Sequence, residues 1–311
     1  MRPLVDLAAG DDPGRAAARF AEARGKRVFE VCGVAFAEYR GPFHISLPWQ
    51  RRVDLDPAAV AAALRRERAW AVRYPTLTQP GWPGGLYALW LPGFGLDRLQ
   101  AERRRRARRG LETTACRELA PDELEALGLE LNLETMARHG RFDPEFGDPA
   151  GWRRFVAAVR RCPEVSALGG FVDGRLEAYL LTLREGRWLH LLYKNARDEA
   201  LRRNVPLALD CWALQRAGAD PGLQLAEAGF PSLRSGDRLD LYKRELGFSL
   251  VPFDVGLRFH PLLSPLLATR LSAAAAATAA RLRPASGALD LAAHVLAGAH
   301  RTRSADPVPA R

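Results

Sequence analysis

The sequence is poor in lysine, although it is rich in basic residues. Only three of its 46 basic residues are lysines, namely Lys26, Lys194 and Lys243, so arginine carries nearly all of the positive charge. A chain that uses arginine for solvated charge keeps lysine where a compact, rotatable ammonium group is needed. Lys194 and Lys243 both fall in segments that are singled out below.

Cysteine is also scarce, and the spacing of the cysteines argues against two kinds of structural site. The four cysteines, Cys32, Cys116, Cys162 and Cys211, are scattered and include no Cys-x-x-Cys pair. This pattern argues against a zinc site and a disulfide framework, and it suits a reducing compartment. The six histidines show no metal-ligand spacing either, so we predict no metal site.

Long apolar runs are missing as well. The longest stretch of mainly small apolar residues, at 271–280, is mostly alanine. It is far shorter than the roughly 20 residues that cross a bilayer. The first segment, MRPLVDLAAGDDPGR, meets three aspartates before any apolar run develops, which does not fit a signal peptide. We therefore expect a cytoplasmic protein without membrane insertion.

The amino-acid composition indicates a globular protein. About half of the 311 residues are apolar, which is enough for one large or two medium domains with real cores. The net charge of +10 points to an anionic partner such as a nucleotide, a phosphate or RNA. A general bias towards arginine would explain the same charge without any partner.

The first hundred residues alternate between helix and strand signals. Helices are predicted at residues 13–24 and 57–68, a strand pair is predicted around Gly33, and strand-like runs occupy residues 69–75 and 86–92. The stretch GPFHISLPWQRR at residues 41–52 is rich in proline and aromatics, so we predict a loop there.

A strongly basic helix is predicted at residues 96–109, with Gly110 as its C-cap. Its densest run, RRRRARR, could contact the phosphates of tRNA or of a nucleotide-linked acceptor. The alternative, which we favour, is that these arginines pack between two halves of the protein or form a solvated face. The interleaved aromatic residues that accompany single-strand binding are missing.

The second half has a clearer element order. Three strands form an antiparallel meander joined by Asp173-Gly174 and Glu185-Gly186, the first of which is a strong tight-turn signal. The predicted order is a strand at 111–119, helices from 121 and at 149–161, meander strands at 164–172, 175–183 and 187–194, a helix at 200–217, a strand at 223–229, a helix at 238–246 and a strand at 248–255. Alanine-rich helix follows Pro261.

This order resembles the acyltransferase fold of the GNAT superfamily, and in particular its FemAB-like branch, in which two such domains lie in tandem. Three segments carry the resemblance, and they fall within roughly residues 95–255. They are LQAERRRRARRGLE, then WLHLLYKN followed by RRNVPLALDCWALQRA, and finally AGFPSLRSGDRLDLYKRELGF. The last two match a strand ending in Tyr before a helix opening at Asn, and the family's closing Phe/Tyr-Lys and Gly-Phe pattern.

The resemblance implies an α+β protein with the GNAT acyl-CoA N-acyltransferase fold in a tandem arrangement. Residues 1–112 would form a degenerate or truncated N-terminal GNAT-like half that ends in the arginine-rich connecting helix. Residues 113–258 would form the C-terminal GNAT domain, and residues 259–311 an alanine-rich helical extension and tail.

The implied activity is transfer of an acyl group from acyl-CoA, as co-substrate, to an amino group of a sugar, a peptide or a small metabolite. The donor would lie where the strands at 187–194 and 223–229 run parallel and then separate. The following turn lacks the Gly-x-Gly/Ala loop of ordinary acetyl-CoA users, which leaves aminoacyl-tRNA as an alternative donor. A catalytically idle scaffold that binds RNA or another protein is the other alternative.

The resemblance also suggests catalytic residues. Lys243 matches the Phe/Tyr-Lys position and would act on the donor or the developing charge, while Tyr193 would donate a proton to the leaving group. Glu227, on the separating strand, would draw the proton from the amine through water. A solvated lysine, a packed tyrosine and a paired glutamate are the alternatives without a catalytic role.

Two further groups complete the predicted site. Arg202, Arg203 and Asn204 would bind donor phosphates at the start of a helix. Ser232, His44 and Trp49 would bind the substrate, the last two from a loop between the halves. His190, in the meander, is interpreted as a core or surface histidine and not as a base.

Overall fold

The computed structural model describes residues 14–140, 142–231, 238–267, 269–282 and 296. Its described strands form a single mixed sheet of eleven strands. Alternate side chains of the central strands point to opposite faces of this sheet, so each face has its own core.

The first part of the chain supplies the strands at one end of the sheet. Its elements are α1 (Arg15–Ala23), β1 (Val28–Val31), β2 (Val34–Arg40), β3 (Phe43–Leu47), α2 (Pro57–Glu67), β4 (Ala71–Pro75), β5 (Trp82–Trp90), a 3₁₀ turn (Leu96–Arg98) and α3 (Ala101–Thr113).

The second part supplies the other end. Its elements are β6 (Ala115–Leu119), α4 (Pro121–His139), α5 (Pro144–Gly147), α6 (Pro149–Arg161), β7 (Val165–Val172), β8 (Arg175–Glu185), β9 (Trp188–Ala196), α7 (Asp198–Arg202), α8 (Val205–Gly218), β10 (Leu225–Glu227), α9 (Arg238–Glu245), β11 (Ser249–Phe259), α10 (Ser264–Leu267) and α11 (Arg270–Leu282).

The strand order is β1-β2-β3-β4-β11-β5-β10-β9-β8-β7-β6, and it contains an internal symmetry. An antiparallel meander followed by a parallel strand occurs twice, as β1–β4 and as β7–β10. The strand that follows each repeat is exchanged, because β11 pairs with β4 whereas β5 pairs with β10. The domain boundaries at 112 and 258 remain a prediction, since both halves share this sheet.

Strand β8 shows how the two faces acquire different cores. Leu181 and Leu183 pack with helices α4 and α6, whereas Ala178 and Leu180 pack with helix α8. The tight turn before β8 forms because Asp173 and Gly174 both adopt positive φ, which these two residue types tolerate best. The predicted meander is therefore present.

The predicted loop at residues 41–52 is wrong in its first half. Residues Phe43–Leu47 form strand β3, which pairs with both β2 and β4. The alternation of larger side chains in Phe-His-Ile-Ser-Leu was masked by the flanking prolines. His44 is thus a buried strand residue, and its ring lies 4.9 Å from that of Phe29.

Two predicted helix boundaries also need correction. Gly110 lies inside α3 and not at its C-cap, because the helix continues to Thr113. The predicted helix at 200–217 is broken into α7 and α8, since Asn204 adopts φ 59° between them. Both corrections concern one contact: a Cβ on Gly110 would come within 2.8 Å of the Asn204 carbonyl oxygen.

Candidate functional site

Strands β9 and β10 run parallel for only three residue pairs and then separate. The last pair joins His190 to Glu227, after which the chain beyond β10 stays hydrogen-bonded to Tyr87 of β5. Residues 188–190 of β9 are buried, whereas residues 191–195 are partly exposed. We call this gap, between residues 191–195 of β9 and the end of β10, the wedge.

A bulge in β9 lies directly beside the wedge. Thr182 of β8 pairs with Leu191, but the preceding residue of β8 pairs with Tyr193, so Leu192 is an extra residue. As a result Leu192 and Tyr193 both pack towards the core of α4 and α6. Bulges of this kind re-aim side chains and interrupt strand pairing.

The last paired residues before the wedge form a buried dyad, His190–Glu227. The imidazole Nδ1 lies 2.9 Å from Glu227 Oε2, and both side chains are almost fully buried. The other carboxylate oxygen accepts a hydrogen bond from the backbone N–H of Gly229. His190 Nε2 is buried, and among the described residues no partner bonds to it.

The dyad adjoins a small cavity of about 10 Å³. Trp49 forms one wall of this cavity, and its ring centroid lies 5.1 Å from that of His190. Phe230, three residues after Glu227, forms another wall, and side chains of β3, β4 and β11 complete the lining. Within the described part of the chain, Arg73 is the charged residue of this lining.

Lys243 approaches the wedge from the other face of the sheet. Its Nζ donates to the Phe230 carbonyl oxygen at 2.8 Å and lies 4.8 Å from the centre of the Tyr87 ring. Asp240 Oδ1 is 3.8 Å away, one helical turn earlier. Glu227 pairs with Ala88 and points to the same face of the sheet. Tyr87 precedes Ala88 in β5, so it points to the opposite face. Lys243 and the dyad therefore flank the same strand end.

A second polar cluster lies between β9, α8 and α9. Both Lys194 Nζ and the Tyr242 hydroxyl donate to the buried Asp210 Oδ2, and the two donors are themselves 3.3 Å apart. Burial, reinforced by the Asp210 charge, raises the pKa of Tyr242 well above its ordinary value. Tyr242 is thus a neutral phenol at physiological pH.

Tyr193 lies on the dyad face of the sheet, packed among aromatic rings. Phe146 is 4.8 Å away between centroids, and the Arg24 guanidinium lies 5.5 Å from the Tyr193 ring centre. Burial raises the pKa of Tyr193, so its hydroxyl also stays protonated.

The predicted phosphate-binding turn lies at the start of α8. Asn204 precedes the helix in a left-handed conformation, and within the described chain no side chain caps its first N–H groups. Asn204 Oδ1 instead accepts a hydrogen bond from Arg106 Nε at 2.9 Å. Arg202 is exposed, and Arg203 lies 3.8 Å from Asp173. An uncapped helix N-terminus with arginines beside it suits an anion.

Of the remaining predicted residues, His44 is not brought to this site. His44 is buried against Phe29, and its Nδ1 lies 3.2 Å from the Pro42 carbonyl oxygen, so it does not line the cavity that its neighbour Trp49 lines. Burial lowers the pKa of His44. Ser232 lies outside the described residues.

His190, in the dyad, and Arg73, in the cavity lining, are residues that sequence reasoning did not select for the site. Each belongs to the last residue pair of two parallel strands. His190 lies opposite Glu227, and Arg73 lies opposite Ile45. Strand alternation in WLHLLYKN already places His190 on one face with Trp188. The pairing register with Glu227, however, depends on the tertiary structure.

No group of three or more potential metal ligands occurs in the described ranges. None of the described helices is both long and apolar enough to span a bilayer.

Solved structures share the fold of this chain, whereas known sequences do not match it. No protein-family model matches the chain, and no curated protein matches it. Among solved structures, FemX superposes with a TM-score of 0.56 at 11% identity, covering 84% of this chain and 97% of FemX.

Two lysylphosphatidylglycerol synthetase structures are similar as well. The C-terminal domain of a putative enzyme from Agrobacterium fabrum gives a TM-score of 0.54 at 13% identity, covering 81% of this chain and 90% of that domain. L-PGS from Bacillus licheniformis gives 0.53 at 13% identity, with 81% and 93% covered.

The chain therefore has a GNAT-like mixed α/β fold, in the arrangement that FemX displays. The FemAB-like resemblance inferred from the three sequence segments is confirmed at the level of structure. At these identities the likeness concerns the fold.

Proposed function

We propose that this protein is an N-acyltransferase in which the His190–Glu227 dyad removes a proton from the acceptor amine. The observation that carries the proposal is the position of the dyad, which is the last residue pair of β9 and β10 before the wedge. An unpartnered ring nitrogen at that point, in the described structure, is a general base next to a space for an activated carbonyl.

The dyad geometry defines the role of each member. An imidazole that donates from Nδ1 to Glu227 keeps the lone pair of Nε2 for a proton. Glu227 fixes this tautomer and stabilises the imidazolium that forms, while Gly229 N–H holds the carboxylate in place. Glu227 thus acts through His190 instead of through water alone.

The wedge supplies the donor side of the reaction. The edge of β9 that faces β10 has no neighbouring strand beyond His190, so its backbone N–H groups are the donors for the oxyanion of the tetrahedral intermediate. Lys243 flanks the same strand end with a positive charge. Tyr193 is a neutral phenol that would protonate the leaving group, as its strand position led us to expect. Holding donor and acceptor together is worth about 7–11 kcal/mol of barrier.

The donor would extend towards the start of α8. The uncapped N–H groups there and the exposed Arg202 suit the phosphates of acyl-CoA, which we propose as co-substrate. The acceptor is an amine on a sugar, a peptide or a small metabolite, and the reaction belongs in the cytoplasm. Thermal-shift screening against acyl-CoAs and charged tRNA identifies the donor, because a true donor stabilises the folded chain by mass action.

One observation favours aminoacyl-tRNA as the alternative donor. Arg103 and Arg106 of α3 are engaged by Glu245 and Asn204, but Arg105, Arg108 and Arg109 are exposed. Such a surface binds RNA phosphates in a salt-dependent manner. Transfer that survives ribonuclease and needs only an acyl-CoA would eliminate this alternative.

The dyad is tested by His190→Gln and Glu227→Gln. We expect each change to lower kcat by roughly 10²- to 10⁴-fold, the usual contribution of a general base, with donor binding retained. Steady-state kinetics and a donor thermal shift measure the two effects. His260→Gln, a histidine beyond β11, is the matched control and should turn over like the native chain. Full turnover by folded Glu227→Gln would eliminate the dyad mechanism.

A further inference from the structure

Four large apolar side chains are exposed at the end of the sheet where β4 begins and β11 ends. They are Trp70, Leu262, Leu266 and Leu271, with exposed fractions of 52%, 79%, 71% and 82%. The backbone N–H of His260 donates to the Trp70 carbonyl oxygen at 2.7 Å, so Trp70 and the chain that follows β11 lie side by side. We call these four side chains the apolar patch.

The packing of α10 does not account for the patch. Leu263 and Leu267 turn inward and pack against the core of β5 and β11. A short helix that packs through these two positions is expected to carry polar residues on its outer face. Leu262 and Leu266 occupy that outer face instead. Contiguous apolar side chains exposed in this way mark an interaction site.

Helix α11 extends the same surface. The Ser272 hydroxyl donates to the Leu267 carbonyl oxygen at 2.7 Å, so α11 begins directly beside α10. Ala274 and Ala275, in the first half of α11, are exposed as well. The alanine-rich extension, which the proposed reaction does not use, therefore adds small apolar side chains next to the patch.

Exposed arginines border the patch on its other side. The chain that leads into Trp70 reads Arg65-Arg66-Glu67-Arg68, and its three arginines are exposed. Arg66 pairs with Glu67, but within the described part of the chain no carboxylate pairs with Arg65 or Arg68. The patch thus has positive charge beside it, in a chain whose net charge is +10.

We infer that the apolar patch attaches this protein to the surface of an anionic lipid bilayer. Leucines as exposed as Leu262, Leu266 and Leu271 project from the protein instead of lining a groove, so they can enter the layer between headgroups and acyl chains. Tryptophan is enriched in that layer, and arginines beside it attract anionic headgroups. This attachment does not depend on the proposed transfer reaction.

Vesicle sedimentation of the full chain tests the inference. Vesicles of phosphatidylcholine with an equal part of phosphatidylserine supply the anionic surface, and pure phosphatidylcholine vesicles supply the neutral one. We expect the native chain to bind the anionic vesicles roughly tenfold or more strongly than the neutral ones, and added salt should weaken this binding. No binding to the anionic vesicles, or equal binding to both kinds, would overturn the inference.

Serine replacements assign the binding to the patch. Leu262→Ser with Leu266→Ser should weaken binding to the anionic vesicles by roughly tenfold or more, because less apolar area enters the lipid. Leu127→Ser with Leu133→Ser, at exposed positions of α4, is the matched control and should bind like the native chain. Thermal denaturation checks that both variants are folded. Native binding by the folded Leu262→Ser, Leu266→Ser variant would contradict the assignment.

Arginine replacements separate the charge from the apolar contact. Arg65→Gln with Arg68→Gln should remove most of the preference for anionic vesicles. Arg153→Gln with Arg154→Gln, at exposed positions of α6, should leave that preference unchanged. Equal loss in the two variants would show a general attraction of a basic protein to anions, and the arginines beside the patch would then have no special part.

A second copy of this chain is the rival occupant of the patch. Light scattering without vesicles measures the mass in solution, and we expect a monomer. A dimer that dissociates in Leu262→Ser with Leu266→Ser, together with no vesicle binding by the native chain, would assign the patch to that second copy and overturn the inference.

Discussion

At the scale of single residues, two clusters of buried polar groups lie beside the wedge, one on each face of the sheet. The dyad lies on the face of α4 and α6, and the Lys194–Asp210–Tyr242 cluster lies on the face of α8. Buried charges persist where they are paired, and each of these groups has its partner within hydrogen-bonding distance. The two clusters therefore define the wedge from both sides.

Lys194 and Asp210 provide a test of this pairing. We expect Lys194→Met to destabilise the chain by about 3 kcal/mol, because it leaves a buried carboxylate with the Tyr242 hydroxyl as its remaining partner at Oδ2. Chemical denaturation measures the free energy of unfolding. Lys26→Met is the matched lysine control. Lys26 lies 3.7 Å from the Glu145 carboxylate, which keeps its ion pair with Arg24, so this change should cost about 1 kcal/mol or less.

A double replacement tests the same ion pair from both sides. Replacing both partners, as in Lys194→Met with Asp210→Leu, should recover part of the lost stability, because no buried charge is then left alone. If Lys194→Met and Lys26→Met had equal effects, the cluster would not be an important ion pair.

Sequence reasoning singled out Glu227, Lys243 and Trp49, whose roles stay predictions, but it did not predict the contacts that they make. The rarity of lysine and the Phe/Tyr-Lys match indicated Lys243, and the structure places it at the strand end next to the dyad. The sequence indicates a core or surface histidine at His190, because no local pattern joins it to Glu227, 37 residues away in the chain. A buried histidine becomes a base only through the group that orients it.

At the scale of elements, the contact between α3 and α8 positions the phosphate-binding turn. Gly110 allows α3 to approach so closely that a Cβ there would lie 2.8 Å from the Asn204 carbonyl oxygen and 3.0 Å from the Ala208 Cβ. Arg106, one turn earlier on the same helix, bonds the Asn204 side chain. The basic helix thus contributes packing, as the favoured interpretation of its arginines expected, and still exposes other arginines.

Gly110→Ala should push the two helices apart. We expect a loss of about 1–3 kcal/mol in the free energy of unfolding, the usual cost of overpacking, together with weaker donor binding because Asn204 moves. Thermal denaturation with and without donor measures both effects. Glu112→Ala, at an exposed position of the same helix, should change stability by about 0.5 kcal/mol or less. Unchanged stability in Gly110→Ala would show that the helices can separate freely.

At the scale of the whole molecule, the exchanged strands bind the two halves together. Strand β11 lies between β4 and β5, so the first half has no continuous sheet without the end of the second. Each half therefore depends on the other for its central strand pairs. This arrangement predicts one cooperative unfolding transition instead of two.

Cooperativity and truncation test this dependence. Denaturation monitored by tryptophan fluorescence and by circular dichroism should give coincident curves, and a fragment of residues 1–112 alone should remain unfolded because β4 and β5 both lose β11. Coexpression with residues 113–311 should restore a soluble complex. A folded, monomeric 1–112 fragment would show that the first half is an independent domain.

The sequence by itself determined the elements with strong local signals. The meander with its Asp173-Gly174 turn, helix α6 and the order of the second half follow from alternation, turn residues and helix starts, which act within a few residues. The tertiary structure alone decided the strand exchange, the break before α8 and the pairing of His190 with Glu227. These features depend on register and on contacts between distant segments, and a local pattern carries no information about which distant strand will lie beside it.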